Sequence, residues 1–181
     1  MNFCSYRRRA LPALLCFALS GFIPAVADPS LQAGFSPEGS ALQLVLQTID
    51  TAQLSIRLMG YTFTSPAVVK SLIAARRRGV DVKVVLDEKG NRGKASQAAM
   101  NLLVNADIPV RTVNRFRIMH DKVIVTDGRN TELGSFNFTA SGARANSENV
   151  LIVRDDIQVA QTYLRHWQSR WEMGADWHSP Y

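Results

Sequence analysis

The chain has 181 residues, 46% of them apolar, which is enough for one domain with a proper core. The formal net charge is +6 and the pI is near 9.7. Both cysteines, Cys4 and Cys16, precede residue 28, so the chain beyond them excludes disulfides, Cys–zinc sites and cysteine nucleophiles.

The chain opens with a basic cluster, Arg7 to Arg9, followed by the apolar run Ala10–Ile23 and by Ala25-Val26-Ala27. This order is that of a secretory signal peptide, expected to be removed after Ala27, with residues 28–181 as the single folded domain. An uncleaved membrane anchor is the competing reading; the short run, with Pro12 in it and Pro24 at its end, favours cleavage and no stable membrane insertion afterwards. Arg7-Arg8 hints at twin-arginine export, and Leu15 before Cys16 argues against a lipoprotein anchor. Cleavage takes Lys+Arg from 21 to 18 against 15 Asp+Glu, a net charge of +3. Any affinity for nucleic acid must then come from local clustering. The expected location is the periplasm or the exterior, an oxidising compartment that suits a thiol-free chain.

In chain order, Leu31 to Phe35 predicts a short strand, and Ser36-Pro37 reads as the cap and first residue of a helix carrying Leu42, Val45, Leu46 and Ile49. Leu54 to Tyr61 alternates as a strand. Ser65-Pro66 starts a second helix, which ends in Arg76-Arg77-Arg78 before Gly79; those arginines read as a solvated helix end. Val80 to Leu86 is a strand, Glu88 to Lys94 a polar loop, Ala98 to Val104 a helix and Val110 to Val113 a short strand. A strand entered at His120 follows, then strands at Glu132–Phe136 and within Glu148–Arg154, with a loop or helical turn over 137–146 between them. Asp155-Asp156 caps a closing helix in which Ile157, Ala160, Leu164, Trp167 and Trp171 share a face, read as core or subunit packing. The alternation implies an α/β fold: a mixed central β-sheet flanked by helices on both faces. No internal repeat or interdomain linker is apparent.

The stretch from Arg115 to Gly128 carries the chemistry. His120 and Lys122 are two apart, so they fall on one face at the strand's entrance, and Asp127-Gly128 ends the strand in a turn. An imidazole beside a fixed ammonium suits attack on a phosphodiester: the ring attacks phosphorus and the cation stabilises charge on the equatorial oxygens. Gly134-Ser135-Phe136-Asn137 follows, with two hydrogen-bonding side chains again two apart, then Glu148 before an apolar strand.

His120-x-Lys122-x4-Asp127 with Gly134-Ser135-x-Asn137 resembles the HKD signature of the phospholipase D superfamily. The single short copy is most similar to that family's small bacterial endonucleases, over about Phe35 to Trp171. The resemblance implies a phospholipase D-like sandwich and assigns roles. His120 would be a nucleophile forming a phosphohistidine. Lys122 and Asn137 would bind the non-bridging oxygens, Ser135 would support them, and Glu148 would hold the other imidazole nitrogen. Asp127 and Gly134 would be structural. One motif per chain leaves the leaving group without its acid, so a two-fold homodimer is expected, its paired histidines giving a bell-shaped pH profile. No metal and no other cofactor is expected, because adjacent pairs such as Asp87-Glu88 are not a spaced ligand set.

Arg111, Arg115 and Arg117 lead into His120, and Lys89, Arg92 and Lys94 offer a second basic edge; doubled across a two-fold axis they would line a groove for a phosphate backbone. With no base-reading helix, cleavage of DNA, and after it RNA, should be largely nonspecific in sequence. Two alternatives stay open. A phospholipid phosphodiesterase should show an exposed apolar opening beside the site, and a catalytically idle nucleic-acid-binding protein should bind without turnover.

Overall fold

The computed structural model describes Met1 and residues 29–180; apart from Met1, the expected signal peptide lies outside the described residues. The strand β1 (Ser30–Ser36) leads into the helix α1 (Ser40–Thr51). Two strand–helix–strand units follow: β2 (Ser55–Gly60), α2 (Pro66–Arg77), β3 (Asp81–Asp87), α3 (Lys94–Val104) and β4 (Val110–Val113). A hairpin of β5 (Lys122–Thr126) and β6 (Asn130–Gly134) comes next. The short helix α4 (Ala140–Arg144), β7 (Glu148–Arg154), the long helix α5 (Ile157–Met173) and β8 (Ala175–Asp176) close the chain.

All eight strands lie in one mixed sheet, ordered β1-β7-β6-β5-β2-β3-β4-β8. β2, β3 and β4 run parallel, and every other pairing is antiparallel. Alternation along each strand sends side chains to two separate cores. Ile56, Leu58, Val84 and Ile124 pack with α1, α2 and α3 on one face. Met59, Val85, Val123 and Val125 pack under α5 on the other, where Trp167 donates its indole N–H to Leu58 O at 2.9 Å.

Local chemistry sets the helix ends. Ser65 accepts the Val68 N–H at 3.4 Å with Pro66 behind it, Gly79 leaves α2 at φ 92°, and Asp156 accepts the Val159 N–H at 3.0 Å to start α5. Four expectations need correction. Ser36-Pro37 does not begin α1: the Ser36 hydroxyl donates to Gly142 O at 2.7 Å, a tertiary bond, and the turn runs on to the left-handed Gly39 before the helix starts at Ser40. α3 begins at Lys94 rather than Ala98, because its first turn, Lys-Ala-Ser-Gln, is helical without an inward apolar stripe to reveal it. Ile157, the first residue of α5, is exposed, unlike Ala160 and Trp167 on the same helix. The strand β8 was not foreseen; two residues paired to Arg111 and Thr112 are too few to show a period.

The consequence for function is one edge. The pairings Gly60↔Lys122, Asp87↔Val113, Gly134↔Val150 and Ser36↔Glu148 bring the C-terminal ends of β1, β2, β3, β4 and β6 beside the N-terminal ends of β5 and β7.

Candidate active site

His120, Lys122, Ser135, Asn137 and Glu148 all project from that edge, brought there by β5, β6 and β7. His120 lies just before β5 and is exposed, whereas Lys122, the strand's first residue, is 5% exposed. The Lys122 ammonium donates to the backbone carbonyl of His120 at 2.8 Å, so cation and imidazole share one short, self-bonded segment. Burial holds the Lys122 pKa below its ordinary value; the carboxylates of Glu148 and Asp121 oppose that fall.

The motif glycine has a steric reason. A Cβ on Gly134 would sit 2.2 Å from the carbonyl oxygen of Asn149, so β6 and β7 approach too closely for any side chain there. Ser135 then bonds the same neighbour: its N–H donates to Asn149 O at 3.1 Å, and its Oγ accepts the Asn149 N–H at 3.0 Å. The Asn137 side-chain oxygen is buried without a hydrogen-bond partner among the described residues. Glu148 accepts from Asn146 Nδ2 at 3.0 Å; this, and not the imidazole, is the partner of its carboxylate here.

Asp127 stands at the opposite end of β5, roughly 20 Å from His120 at about 3.3 Å per residue. It adopts φ 55°, and its carboxylate accepts the backbone N–H groups of Gln53, Leu54 and Ser55 at 3.0, 2.7 and 2.9 Å, which ties the β5–β6 turn to the start of β2.

Three side chains at the edge were not picked out from the sequence. The Tyr61 ring lies 4.9 Å from the His120 ring, tilted by 59°, with Lys122 Nζ 5.6 Å from its centroid. Asp87, fully buried, accepts the Met119 N–H at 2.8 Å and the Gly90 N–H at 2.6 Å. Asn91 joins the two, donating to Tyr61 O at 2.5 Å and Asp87 O at 2.8 Å. The only signal was position, at or shortly after the C-terminal ends of β2 and β3, and it acquires meaning once β2 is known to pair with β5.

The six basic residues expected to contact substrate divide. Arg115 and Arg117 are exposed on the segment leading to His120, and Lys89 joins them by donating to Phe116 O at 3.4 Å. Arg92 is paired with Glu88 at 2.7 Å, and Lys94 starts α3, exposed. Arg111 is turned away: it bonds Asp176 at 2.6 Å and Trp171 O at 3.0 Å, and lies over the Trp171 ring at 4.6 Å. Strand alternation puts it on the α5 face, where it fastens β8.

An exposed imidazole backed by a backbone-held ammonium can reach phosphorus while the cation offsets charge on its oxygens. The class that this fold and this edge define is a phosphodiester hydrolase. The "Cardiolipin synthase, PLD-like domain" profile matches residues 45–171. The chain is 53% identical to Nuc from Salmonella typhimurium, a phospholipase D family member of known crystal structure, covering 84% of this chain and 100% of that one with a TM-score of 0.83. It is 32% identical over 148 residues to a protein named phospholipase D from Rickettsia typhi, covering 82% of this chain and 71% of that protein. It is also 33% identical over 133 residues to a mitochondrial cardiolipin hydrolase of Xenopus laevis, covering 74% and 62% respectively. The chain belongs to the phospholipase D superfamily, and its α/β sandwich is that of Nuc.

Proposed function

We propose that the chain is an exported, metal-independent endonuclease that cleaves DNA, and after it RNA, through a phosphohistidine on His120. The observation that carries the reading is the pairing of exposed His120 with buried Lys122, once per chain, beside the exposed cations Arg115, Arg117 and Lys89. Along that flank a polyanion finds charge without base-reading elements.

The steps follow from the chemistry of the edge. A His120 ring nitrogen forms a bond to phosphorus as the bond from phosphorus to the leaving oxygen breaks. Lys122 and the Asn137 amide hold the non-bridging oxygens, and Ser135 keeps the β6–β7 junction in place behind them. Among the described residues no second imidazole stands at this edge: His166 is bonded to Asp121 on the α5 side, and His178 follows β8, whose pairing leads the chain toward the N-terminal end of β4. In a two-fold dimer the partner subunit's His120 donates the proton to the leaving oxygen. The same ring then takes a proton from water, whose oxygen displaces the histidine from phosphorus. The family resemblance gives Glu148 the role of holding the other nitrogen of the His120 imidazole. An N-terminal signal peptide sends the domain 28–181 to the periplasm or beyond.

A phospholipid substrate is the second reading, favoured by the names of the relatives from Rickettsia and Xenopus. The deciding experiment incubates purified protein with plasmid DNA in EDTA beside a His120→Ala control, with phosphatidylglycerol as a parallel substrate. Degradation of DNA by the wild type alone supports the nuclease. Degradation by both, or by neither, refutes it, and turnover of the lipid alone moves the assignment to the second reading.

A further inference from the structure

On the face of the sheet away from α5, α2 and α3 leave a trough of about 560 Å³ between them. Its origin is legible residue by residue. α3 buries Ala99 and Leu103 in the core but carries a second apolar stripe outward, Ala95, Ala98 and Leu102, at helical spacing. Leu102 is 56% exposed, an uncommon position for a leucine in mid-helix. Val69 and Ile73 of α2 line the facing wall. Alanine at 95 and 98 leaves the space open, where larger side chains would have closed the two helices together.

Two features point to an occupant. First, the charged residues that line the trough, Lys70 and Arg77, are both cationic; no carboxylate lines it, and neither cation is in an ion pair among the described residues. Second, the trough's lining includes Thr64 and Pro66 at the entry to α2, and Thr64 donates its N–H to the carbonyl of Phe138, the residue after Asn137, at 2.9 Å. From there the 12 residues of α2 run for roughly 18 Å. An apolar trough with a cationic rim complements a hydrocarbon chain bearing an anionic head.

We propose that this trough is a binding site for one acyl chain of an anionic phospholipid, with its headgroup at Lys70 and Arg77. The chain lies between α2 and α3, burying the exposed faces of Leu102 and Ile73, and the site is separate from the His120 chemistry. It holds the enzyme at a lipid surface, whether the phosphodiester that is cleaved belongs to a nucleic acid or to a lipid.

The test titrates the full protein with lysophosphatidylglycerol below its micelle concentration, by calorimetry and by methyl NMR of Leu102 and Ile73. Lysophosphatidylcholine is the zwitterionic comparison. Saturable binding that shifts both methyl groups and prefers the anionic lipid is expected. Ala98→Trp should weaken binding at least about tenfold, the loss that follows when two or more methylenes are denied burial. Lys70→Glu with Arg77→Glu should erase the preference between headgroups. Leu102→Asp serves as a second variant should Ala98→Trp misfold. Turnover of bis-para-nitrophenyl phosphate, read on every preparation, should not change. Absence of saturable binding, equal binding of the two lipids, or an undiminished affinity in folded Ala98→Trp or Leu102→Asp overturns the proposal. DNA cleavage in the same preparations is read separately, so either assignment can fail while the other stands.

Discussion

Nε2 of His166 on α5 stands 3.0 Å from Oδ1 of Asp121, the residue between His120 and Lys122. On the other side of His120, the Met119 N–H is held by Asp87 from β3. The segment bearing the imidazole is therefore pinned from α5 and β3, which supply none of the motif's own side chains. Both members of the His166–Asp121 pair are partly exposed, so its removal should cost only about 0.2–1 kcal/mol of stability. Its effect on turnover should be larger, because small misplacements of a reacting group are costly. His166→Ala is expected to lower kcat about tenfold with KM nearly unchanged, and His166→Gln, which keeps a donor, to recover part of the loss. An unchanged kcat in His166→Ala would show that α5 does not position the segment.

The Lys122 ammonium supplies a prediction with a definite sign. Burial lowers its pKa, while the anions Glu148 and Asp121 work in the other direction. If the charged form is needed for turnover, activity falls as pH rises through this depressed value. Glu148→Gln removes one of the two opposing anions, so the alkaline limb of the rate profile should move to lower pH. Asp121→Asn should move it the same way. Rates with a small phosphodiester between about pH 7 and 10 decide the point. A limb that stays in place, or moves upward, means that Lys122 is not the group being titrated.

The residues whose meaning lies in their spacing were readable from the chain. His120 and Lys122, like Ser135 and Asn137, are two apart, and a strand period alone puts each pair on one face. Tyr61, Asp87 and Asn91 were not readable in that way. They belong to the site because β2 pairs with β5 and β3 lies next to β2, and such pairing is fixed by packing between distant segments. Arg111 shows the opposite error. Its closeness in sequence to His120 suggested a shared groove, but alternation turned it to the α5 face, where Asp176 and Trp171 hold it. The trough escaped notice because the Ala95, Ala98 and Leu102 stripe looks like ordinary helix composition until α2 is set beside it.

The resemblance reads Asp127 as structural, and its geometry here is that of a clamp. Its carboxylate accepts three successive backbone N–H groups, and its φ of 55° is one that Asp and Asn tolerate better than Ala. Asp127→Ala should therefore destabilise by about 2–4 kcal/mol, from lost charge-assisted bonds and left-handed backbone together. Asp127→Asn, which keeps one acceptor and the conformation, should cost about half as much. Urea unfolding measures both. Turnover by the folded fraction should change less than about twofold, given the distance to His120. A folded Asp127→Asn protein without activity would make the residue a participant in the chemistry.

Glu132, like Asp87, carries a carboxyl group that the fold hides completely. It lies on β6 between Ile124 and Ile152, its side-chain oxygens buried without a hydrogen-bond partner among the described residues. Burial raises its pKa well above 4.5, and the nearby Ile124 backbone offsets only part of that rise. The sign follows from linkage. The unfolded chain releases this proton near pH 4.5, while the folded one keeps it, so the stability tied to the protonated form is fully present below that pH. It is lost progressively as pH rises towards the raised folded value. Glu132→Met fills the same space with no ionisable group. It should stabilise the protein at pH 8 by about 1–3 kcal/mol, with the gain shrinking towards pH 5. Urea unfolding at the two pH values tests this. A gain equal at both, or a loss at pH 8, would mean that the carboxyl group is ionised and stabilised in the fold, contrary to its apolar surroundings.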